Sequence, residues 1–362
     1  MATTDITAHP SGQKGRAALS NASGRYEGSA RVLADDGWGA LDEPAHVLTT
    51  HVSIDASRTI IARNSSPDLN FDRSVNPYRG CEHGCIYCFA RPTHAYLGLS
   101  PGLDFETQLF AKPNAAILLR QELSKASYAP RVMALGTNTD PYQPVEKGMG
   151  ITRTVLQTLR DFRHPVGIVT KSHLITRDID ILGEMAGLNL AKAAISITTL
   201  DRGLARRMEP RAATPERRLD AVRALADAGI PVTVMAAPVI PSLNDHELEE
   251  ILGRAREAGA TGAGYVVLRL PLEIKDLFQE WLRAQIPDRA ARVMKLVREM
   301  RGGLDYDPEW GRRMKGAGPY AQLIAKRFRT ACARLGLNTQ SRELDCSQFR
   351  IPPKKGDQLS FL

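Results

Sequence analysis

Long apolar runs are absent from this chain of 362 residues. No stretch approaches the roughly 18 consecutive apolar residues that a membrane-spanning helix needs, which excludes an integral membrane protein. The first residues also lack the basic segment and the following apolar segment of a secretory signal, so we expect a cytoplasmic protein. Cysteine is scarce, with five residues. In a reducing compartment these five are expected to be thiols or metal ligands rather than a disulfide framework.

The composition is that of a globular protein, with 43% hydrophobic and 24% charged residues. These fractions exclude a collagen-like, coiled-coil or wholly disordered chain. Residues 1–45 are rich in small and polar residues and have no apolar period, so we expect a disordered N-terminal extension there.

Positive charge is concentrated near the end of the chain. The net charge is +8, and residues 309–362 contain eleven Lys or Arg against four Asp or Glu. The densest part of this region comprises Arg312, Arg313, Lys315, Lys326, Arg327 and Arg329. Such a patch attracts a polyanion such as nucleic acid through counterion release, although a solvated helix face with a soluble tail would also carry these charges.

Short apolar strands alternate with amphipathic helices through the middle of the chain. Strands are expected at residues 74–78, 131–135, 166–170, 193–198, 232–236 and 264–268, and the apolar run at 52–61 is expected to form a further strand that docks on the core. Such alternation predicts an α/β fold with a parallel sheet, which binds ligands at the carboxyl ends of its strands. After residue 272 only helices are expected, at 272–285, 288–301 and 318–335.

Three of the five cysteines lie within eight residues, at Cys81, Cys85 and Cys88. Thiolates this close repel each other, so a soft metal between them is the natural explanation. Three cysteines suit a [4Fe–4S] cluster with one open iron. A zinc site with His83 as the fourth ligand and three unliganded thiols are the alternatives.

Residues 76–88 read NPYRGCEHGCIYC, with the aromatic Tyr87 just before the last cysteine. This motif resembles that of the radical S-adenosylmethionine (SAM) superfamily, and the resemblance covers roughly residues 74–270. It implies a partial (β/α)6 barrel of the TIM type, a [4Fe–4S] cluster held by the three cysteines, and SAM bound to the open iron. Reductive cleavage of SAM would then give a 5′-deoxyadenosyl radical that abstracts hydrogen from a substrate. The implied division is an extension at 1–45, a barrel core at 46–271, a helical basic region at 272–350 and a flexible tail at 351–362.

The flanking segments narrow the resemblance. Residues 137–144 read TNTDPYQP and residues 169–172 read VTKS. Together with the cysteine motif, they resemble the spore-photoproduct-lyase-like group, and more closely an uncharacterised bacterial set within it. That resemblance implies that Thr139, Asp140 and Lys171 line the SAM pocket. Lys171 ends an apolar strand, where its ammonium group could pair with the methionyl carboxylate of SAM.

Other strand ends supply further candidate ligands. Ser196 and Thr198 alternate to one side of a strand, so their hydroxyls could face the barrel interior, although such residues also simply fill strands. Residues 209–211 offer a second cation near the pocket, and residues 238–241 end the next strand where the adenine of SAM could lie.

The chain departs from spore photoproduct lyases at one position. Those enzymes place a cysteine just before the strand-end aspartate to return a hydrogen atom to the product radical, whereas residues 136–139 read GTNT here. Reversal of a thymine dimer by that route is therefore in doubt. Cys332 lies in an apolar helix stripe and is expected in the core. For Cys346 an active-site position stays open.

The resemblance and the charge together favour nucleic acid, and DNA in particular, as the substrate, for repair or base modification by a lyase- or transferase-type reaction. A small molecule or a peptide is the alternative substrate, and a non-catalytic iron–sulfur adaptor at replication sites is the alternative to an enzyme. The last five residues, Gln358 to Leu362, resemble the peptide with which bacterial proteins dock on the sliding clamp. A radical SAM enzyme would also need an electron donor such as flavodoxin or ferredoxin.

Overall fold

The computed structural model describes residues 14–29, 48–340 and 343–353. Its strands and helices lie between residues 51 and 335. The strands are β1 His51–Ile54, β2 Ile61–Arg63, β3 Arg73–Val75, β4 Tyr78–Arg79, β5 Gln108–Ala111, β6 Met133–Leu135, β7 Val166–Thr170, β8 Ala191–Ser196, β9 Val232–Val239 and β10 Gly262–Val267. The helices are α1 Leu103–Thr107, α2 Ala115–Leu123, α3 Glu146–Met149, α4 Ile151–Asp161, α5 Ile179–Gly187, α6 Arg202–Met208, α7 Pro215–Asp227, α8 Leu248–Glu257, α9 Ile274–Gln285, α10 Pro287–Glu299 and α11 Gly318–Leu335. Short 3-10 helices cover Arg91–Leu97, His173–Asp178 and Asp245–Glu247.

Six parallel strands form the centre of the fold. The large sheet has the order β10-β9-β8-β7-β6-β3-β2, in which every neighbouring pair is parallel except β2 with β3. The edge strands β10 and β2 do not pair with each other in the part of the chain that the structure describes. This topology confirms the predicted α/β class and the partial (β/α)6 barrel with a helical C-terminal region.

A loop segment crosses the gap between the two edge strands. The backbone N–H of Val267 donates to the carbonyl of Met314 at 2.9 Å, which attaches the segment to β10. On the other side, Gly311 N–H donates to Asp68 Oδ1 at 2.7 Å and Arg313 Nε donates to Asp68 Oδ2 at 2.6 Å. Asp68 lies in the connection between β2 and β3. The segment 311–314 therefore links the two sides of the open barrel.

The apolar run at 52–61 forms two strands in different sheets. Strand β1 pairs in parallel with β5 in a three-stranded sheet of order β1-β5-β4, whereas β2 joins the large sheet. Asp55 separates them, because its Oδ1 accepts the backbone N–H of Ser57 at 2.8 Å in a local turn. The prediction of one strand in this region was wrong for that reason.

Helix α7 shows how an apolar stripe joins the main core. On α7, Leu219, Val222 and Leu225 are all buried, as the spacing predicts. Thr214 caps this helix by accepting the backbone N–H of Arg217 at 3.4 Å, and the helix begins with a proline at its first position. None of the described helices is long and apolar enough to cross a membrane.

Part of the predicted N-terminal extension is packed. Residues 1–13 and 30–47 lie outside the described residues, but Ala17 and Ala18 are 2% and 0% exposed and join the apolar cluster that contains Cys85 and Ile86. The carbonyl of Ser20 accepts the N–H of Leu103 at 3.3 Å. Over residues 14–29 the structure thus differs from the expected disorder, because small side chains permit close packing without an apolar period.

Residues 343–353 return to the amino-terminal side of the barrel. The ring of Phe349 lies 5.5 Å from that of Tyr128 and 5.7 Å from that of His164. Cys346 lies beside the backbone of Val132, just before β6, and Cys332 is buried in the main core. The core position of Cys332 is confirmed, and the active-site alternative for Cys346 was wrong. The clamp-like residues Gln358 to Leu362 lie outside the described residues.

We expect the buried imidazole of His164 to make the fold acid-sensitive. Its Nε2 lies 2.7 Å from Tyr128 Oη and its Nδ1 lies 3.0 Å from the carbonyl of Pro165, contacts that suit the neutral ring. Burial, together with the charge of Arg73, lowers the pKa of His164 from 6.5 to about 4. The unfolded chain therefore takes up a proton on this residue at a higher pH than the folded chain does, and stability falls as the pH drops from 6.5 towards 4.

The measurement is urea unfolding at several values between about pH 7.5 and pH 4.5. The wild-type protein should lose about 2–3 kcal/mol more than His164→Gln over this interval. His246→Gln, a change at an exposed histidine, serves as the control and should follow the wild type. Equal pH dependence in all three proteins would contradict the prediction.

Candidate active site

The cysteine loop, residues 81–88, lies at the carboxyl ends of the barrel strands. The N–H of Cys81 donates to the carbonyl of Phe105 at 2.9 Å, and the N–H of Ile86 donates to that of Met208 at 3.0 Å. The loop is thus held between the end of α6 and helix α1. Gly84 has a φ of +65°, and a Cβ there would lie 2.6 Å from Glu106 Oε2, so glycine is needed for this close approach.

A fully buried arginine supports the loop from inside. Arg91 Nε donates to the carbonyl of Cys85 at 2.9 Å, and its Nη2 donates to that of Gly84 at 2.9 Å. The same guanidinium group pairs with Glu106, whose side chain is also fully buried. Carbonyl groups of a tight buried loop need donors, and this ion pair provides them without leaving a net charge.

The N-terminal segment closes over the same carboxylate. The backbone N–H groups of Ala17 and Ala18 donate to the Glu106 oxygens at 3.2 Å and 3.0 Å. Arg16 donates to the carbonyl of Glu106 at 2.7 Å and to Thr50 Oγ1 at 2.9 Å. Residues 16–18 are therefore part of the wall around the cysteine loop.

The three loop thiols are the donor set that an iron–sulfur cluster would use, since a cluster distributes its thiolate ligands over several irons. Burial raises the pKa of Cys81, Cys85 and Cys88, and each of these thiols interacts electrostatically with another of the three. Without a cation they stay protonated at neutral pH, whereas a bound metal deprotonates its thiol ligands. The backbone N–H of Asp140 faces the sulfur of Cys81, and those of Ala90 and Arg91 face the sulfur of Cys88. Such N–H groups stabilise the thiolate ligands of an iron–sulfur cluster.

His83 is engaged elsewhere. Its Nδ1 lies 3.3 Å from Asp140 Oδ2, and the residue is buried. Among the residues described by the structure, no group of three or more His, Cys, Asp or Glu side chains is arranged to hold one ion. The zinc alternative therefore gains no fourth ligand from His83.

Asp140 organises the end of β6. Its Oδ1 accepts the N–H of Tyr142 at 2.9 Å and the hydroxyl of Thr170 at 2.7 Å, while its Oδ2 accepts the N–H of Lys171 at 2.8 Å. Burial alone would raise the pKa of Asp140, but the charge and hydrogen bond of His83, with these donors, lower it to about 2. The neighbouring Thr139 is also buried and donates to the carbonyl of Tyr78 at 3.1 Å.

Lys171 holds its ammonium group among neutral partners. Its Nζ donates to Ser196 Oγ at 2.9 Å and lies 5.6 Å from the centre of the Tyr87 ring. Ser196 in turn donates to the carbonyl of Ala237 at 3.1 Å. The structure therefore brings together Lys171, Ser196 and Tyr87, and the ammonium group keeps donors for an anionic ligand.

Tyr87 connects the cysteine loop to a buried ion pair. Its hydroxyl donates to Glu209 Oε1 at 2.5 Å and lies 3.1 Å from Thr198 Oγ1. Glu209 also pairs with the buried Arg218. Burial would raise the pKa of Glu209, but the charges of Arg218 and Lys171 lower it. Burial, reinforced by nearby negative groups, raises the pKa of Tyr87, so its hydroxyl stays protonated and donates.

The two remaining predicted segments have clear roles in packing. Arg211, the expected second cation, pairs with Glu82 at 2.9 Å. The segment 238–241 is fixed by Asn244, whose side chain accepts the N–H of Ile240 at 2.6 Å and donates to the carbonyl of Pro238 at 3.0 Å. Sequence reasoning did not predict roles for Asn244, Arg91 or Arg218, because no sequence motif marks the backbone carbonyls and carboxylates that these side chains bond.

The predicted basic surface is partly neutralised. Arg313 pairs with Asp68 at 2.6 Å, and Arg327 pairs with Glu249 at 2.6 Å. Arg312 pairs with both Asp307 and Glu309, at 3.0 Å and 2.6 Å. Half of the six cations in the densest part of the region therefore have carboxylate partners.

Residues 75–255 match the family profile of the radical SAM superfamily, and this match spans half of the chain. The chain belongs to the radical SAM superfamily. It is therefore an enzyme that uses a [4Fe–4S] cluster and SAM, which sets aside the adaptor alternative.

The chain is also similar to uncharacterised relatives and, in its fold, to solved structures. An uncharacterised protein of Mycobacterium tuberculosis is 40% identical over 232 residues, which cover 64% of this chain and 68% of that protein. An uncharacterised protein of Methanocaldococcus jannaschii is 28% identical over 182 residues, covering 50% and 65%. A spore photoproduct lyase variant with bound AdoMet and dinucleoside spore photoproduct has a TM-score of 0.55 at 13% identity, covering 79% of this chain and 80% of that chain. At this identity the likeness to the lyase concerns the fold alone.

We expect Arg91→Met to destabilise the protein by about 3–5 kcal/mol, because it leaves the buried Glu106 carboxylate without its cation. The matched control is Arg120→Met, which breaks the partly exposed pair with Asp161 and should cost at most about 1 kcal/mol. Urea unfolding of both variants measures the difference. Equal losses would show that Arg91 does not support the loop.

Proposed function

We propose that Cys81, Cys85 and Cys88 hold the [4Fe–4S] cluster and that the enzyme acts on nucleic acid. The observation that carries the cluster assignment is the donor set of the loop. Cys81 and Cys85 are buried and Cys88 is partly exposed, and backbone N–H groups face the sulfurs of Cys81 and Cys88. The spacing of the three thiols leaves one iron of a cluster without a protein ligand, as SAM binding requires.

The surrounding residues divide into ligands and positioning residues. When bound, the cluster and SAM supply a 5′-deoxyadenosyl radical that abstracts hydrogen from the substrate. Lys171 binds the carboxylate of SAM, since its ammonium group has only neutral hydrogen-bond partners, and Ser196 orients it. Asp140 and Thr139 position the strand ends, because their polar atoms already bond within the protein.

Thr198 and Tyr87 complete the proposed pocket as positioning residues. Both belong to the buried network of Glu209, which ties the cysteine loop to β8 and keeps water from the reacting region. Residues 238–241, fixed by Asn244, form the wall for the adenine.

Nucleic acid, with DNA favoured, is the proposed substrate class. It is supported by the net charge of +8 and by the shared fold with a lyase solved with a dinucleoside photoproduct. The reaction would be repair or base modification, supported by an electron donor such as flavodoxin or ferredoxin in the cytoplasm.

Hydrogen return by a cysteine is not part of the proposed reaction. Besides the three loop cysteines, the chain has Cys332 and Cys346. Cys332 lies 3.9 Å from Asn338, which bonds the first residues of β10, and Cys346 lies beside Val132 before β6. Both are at the amino-terminal side of the barrel, away from the cysteine loop. We therefore favour a reaction whose product radical is resolved without a thiol of this chain.

We expect each of Cys81→Ala, Cys85→Ala and Cys88→Ala to lose the cluster, because two thiolates cannot hold it with an open iron. Iron and sulfide content and the visible absorption of the anaerobically reconstituted protein measure this loss. Cys346→Ala is the control and should keep the wild-type iron content. Full iron content in all three loop variants would refute the ligand assignment.

We also expect a salt-dependent affinity for DNA together with DNA-stimulated release of 5′-deoxyadenosine. Contacts to phosphates release counterions, so the logarithm of the binding constant should fall linearly with the logarithm of salt concentration. Lys171→Met should weaken SAM binding about 10- to 100-fold, the loss of a charged hydrogen bond, while leaving DNA affinity unchanged.

Absence of any salt-dependent affinity for single-stranded DNA, duplex DNA or RNA would point to the small-molecule or peptide substrate. Loss of DNA affinity in Lys171→Met would contradict the assignment of that residue to SAM. Both results are read from fluorescence anisotropy and from anaerobic assays with SAM and a chemical reductant.

A further inference from the structure

Arg269 lies two residues beyond strand β10, at the open side of the barrel. The centre of its guanidinium group lies 4.9 Å from the centre of the Phe89 ring. Phe89 follows the cysteine Cys88 directly, and 45% of its surface is exposed. An aromatic ring and a cation thus stand together beside the cysteine loop, on a surface that solvent reaches.

The guanidinium group of Arg269 has only weak partners. Its Nη1 donates to Met314 Sδ and its Nη2 donates to Tyr306 Oη, both at 3.5 Å. Its Nε is buried and has no hydrogen-bond partner. No carboxylate among the described residues forms an ion pair with it. The charge of Arg269 acts on Asp68, but that carboxylate already pairs with Arg313. A thioether and a phenol at this distance leave most of the donors of the fork available.

A second arginine increases the positive potential beneath this position. Arg301 is 1% exposed and donates to the carbonyls of Leu268 and Arg312, both at 2.8 Å. Its Nε also lacks a hydrogen-bond partner. Asp307 is the acid whose charge acts on Arg301, and that carboxylate already pairs with Arg312 at 3.0 Å. The surroundings of Arg269 therefore favour an anion.

We propose that Arg269 binds a backbone phosphate of a nucleic-acid substrate while Phe89 stacks against the adjacent base. The inference rests on the proposed function and adds where the nucleic-acid strand lies on the protein. A guanidinium fork matches the geometry of phosphate oxygens, and an exposed aromatic ring accepts any base. Because Phe89 adjoins Cys88, a base on this ring lies next to the cysteine loop.

The first test uses Arg269→Gln in the reconstituted holoenzyme with a short fluorescein-labelled single-stranded DNA. We expect about 5- to 20-fold weaker binding at low salt and, between about 50 and 200 mM salt, a log–log slope that is smaller by about 0.7, the loss of one phosphate contact. Arg223→Gln removes an exposed arginine of helix α7 and should leave both values unchanged. Arg269→Lys keeps the charge and should keep the slope.

The second test separates stacking from charge. Phe89→Leu keeps an apolar side chain but removes the ring, so affinity should fall about 5-fold or more while the salt slope stays at the wild-type value. Thermal unfolding and iron content of every variant confirm that the fold and the cluster are intact.

The outcomes distinguish this inference from the proposed function. If the wild type binds DNA with a clear salt slope and Arg269→Gln behaves as Arg223→Gln does, the phosphate site is refuted and the nucleic-acid substrate stands. If the wild type binds no labelled single-stranded DNA, duplex DNA or RNA at about 50 mM salt, both are overturned. If Phe89→Leu binds as tightly as the wild type, the stacking role is refuted.

Discussion

The buried ion pair of Arg91 and Glu106 is the interaction on which the cysteine loop depends. A tight loop of this kind turns its carbonyl groups inward, where each needs a donor because no water reaches them. The planar fork of Arg91 supplies several donors to neighbouring carbonyls, and Glu106 balances its charge. Residues 16–18 then cover the same carboxylate. The loop carbonyls thereby have their hydrogen-bond donors inside the protein, and the thiols remain available for a cluster.

Local patterns predicted the elements whose information is local. The strand at 166–170 and the helix at 318–335 have the expected bounds, because an apolar run or a helical period between clear breakers defines them. The prediction of a single strand at 52–61 was wrong because the turn at Asp55 depends on a side-chain hydrogen bond and not on a change of hydrophobicity. The packing of residues 14–29 could not be predicted from an apolar period, because alanine and serine pack closely without one. Burial there depends on the neighbouring parts of the fold.

The candidate site likewise contains residues that the sequence alone identifies and residues that only the fold brings together. The cysteines are recognisable because their spacing lies within eight residues, whereas Tyr87 and Glu209 bond across 122 residues of chain. The resemblance implied that Asp140 lines the SAM pocket, and its position beyond β6 is equally suited to the internal bonds it makes. The charge count of the C-terminal region does not reveal which of its cations are paired, because a sequence gives the number of cations and not their partners, as the pair of Arg313 with Asp68 illustrates.

Tyr87 connects the cysteine loop to the side chain proposed to bind the carboxylate of SAM. It stands between Cys85 and Cys88, its ring faces the ammonium group of Lys171 at 5.6 Å, and its hydroxyl is fixed by Glu209 at 2.5 Å. A displacement of the loop therefore moves the ring that borders the proposed carboxylate site. Since Glu209 is itself held by the buried Arg218, the resistance to such a displacement comes from the barrel wall. The positions of the cysteine loop and of Lys171 are therefore coupled through the packing of one aromatic residue.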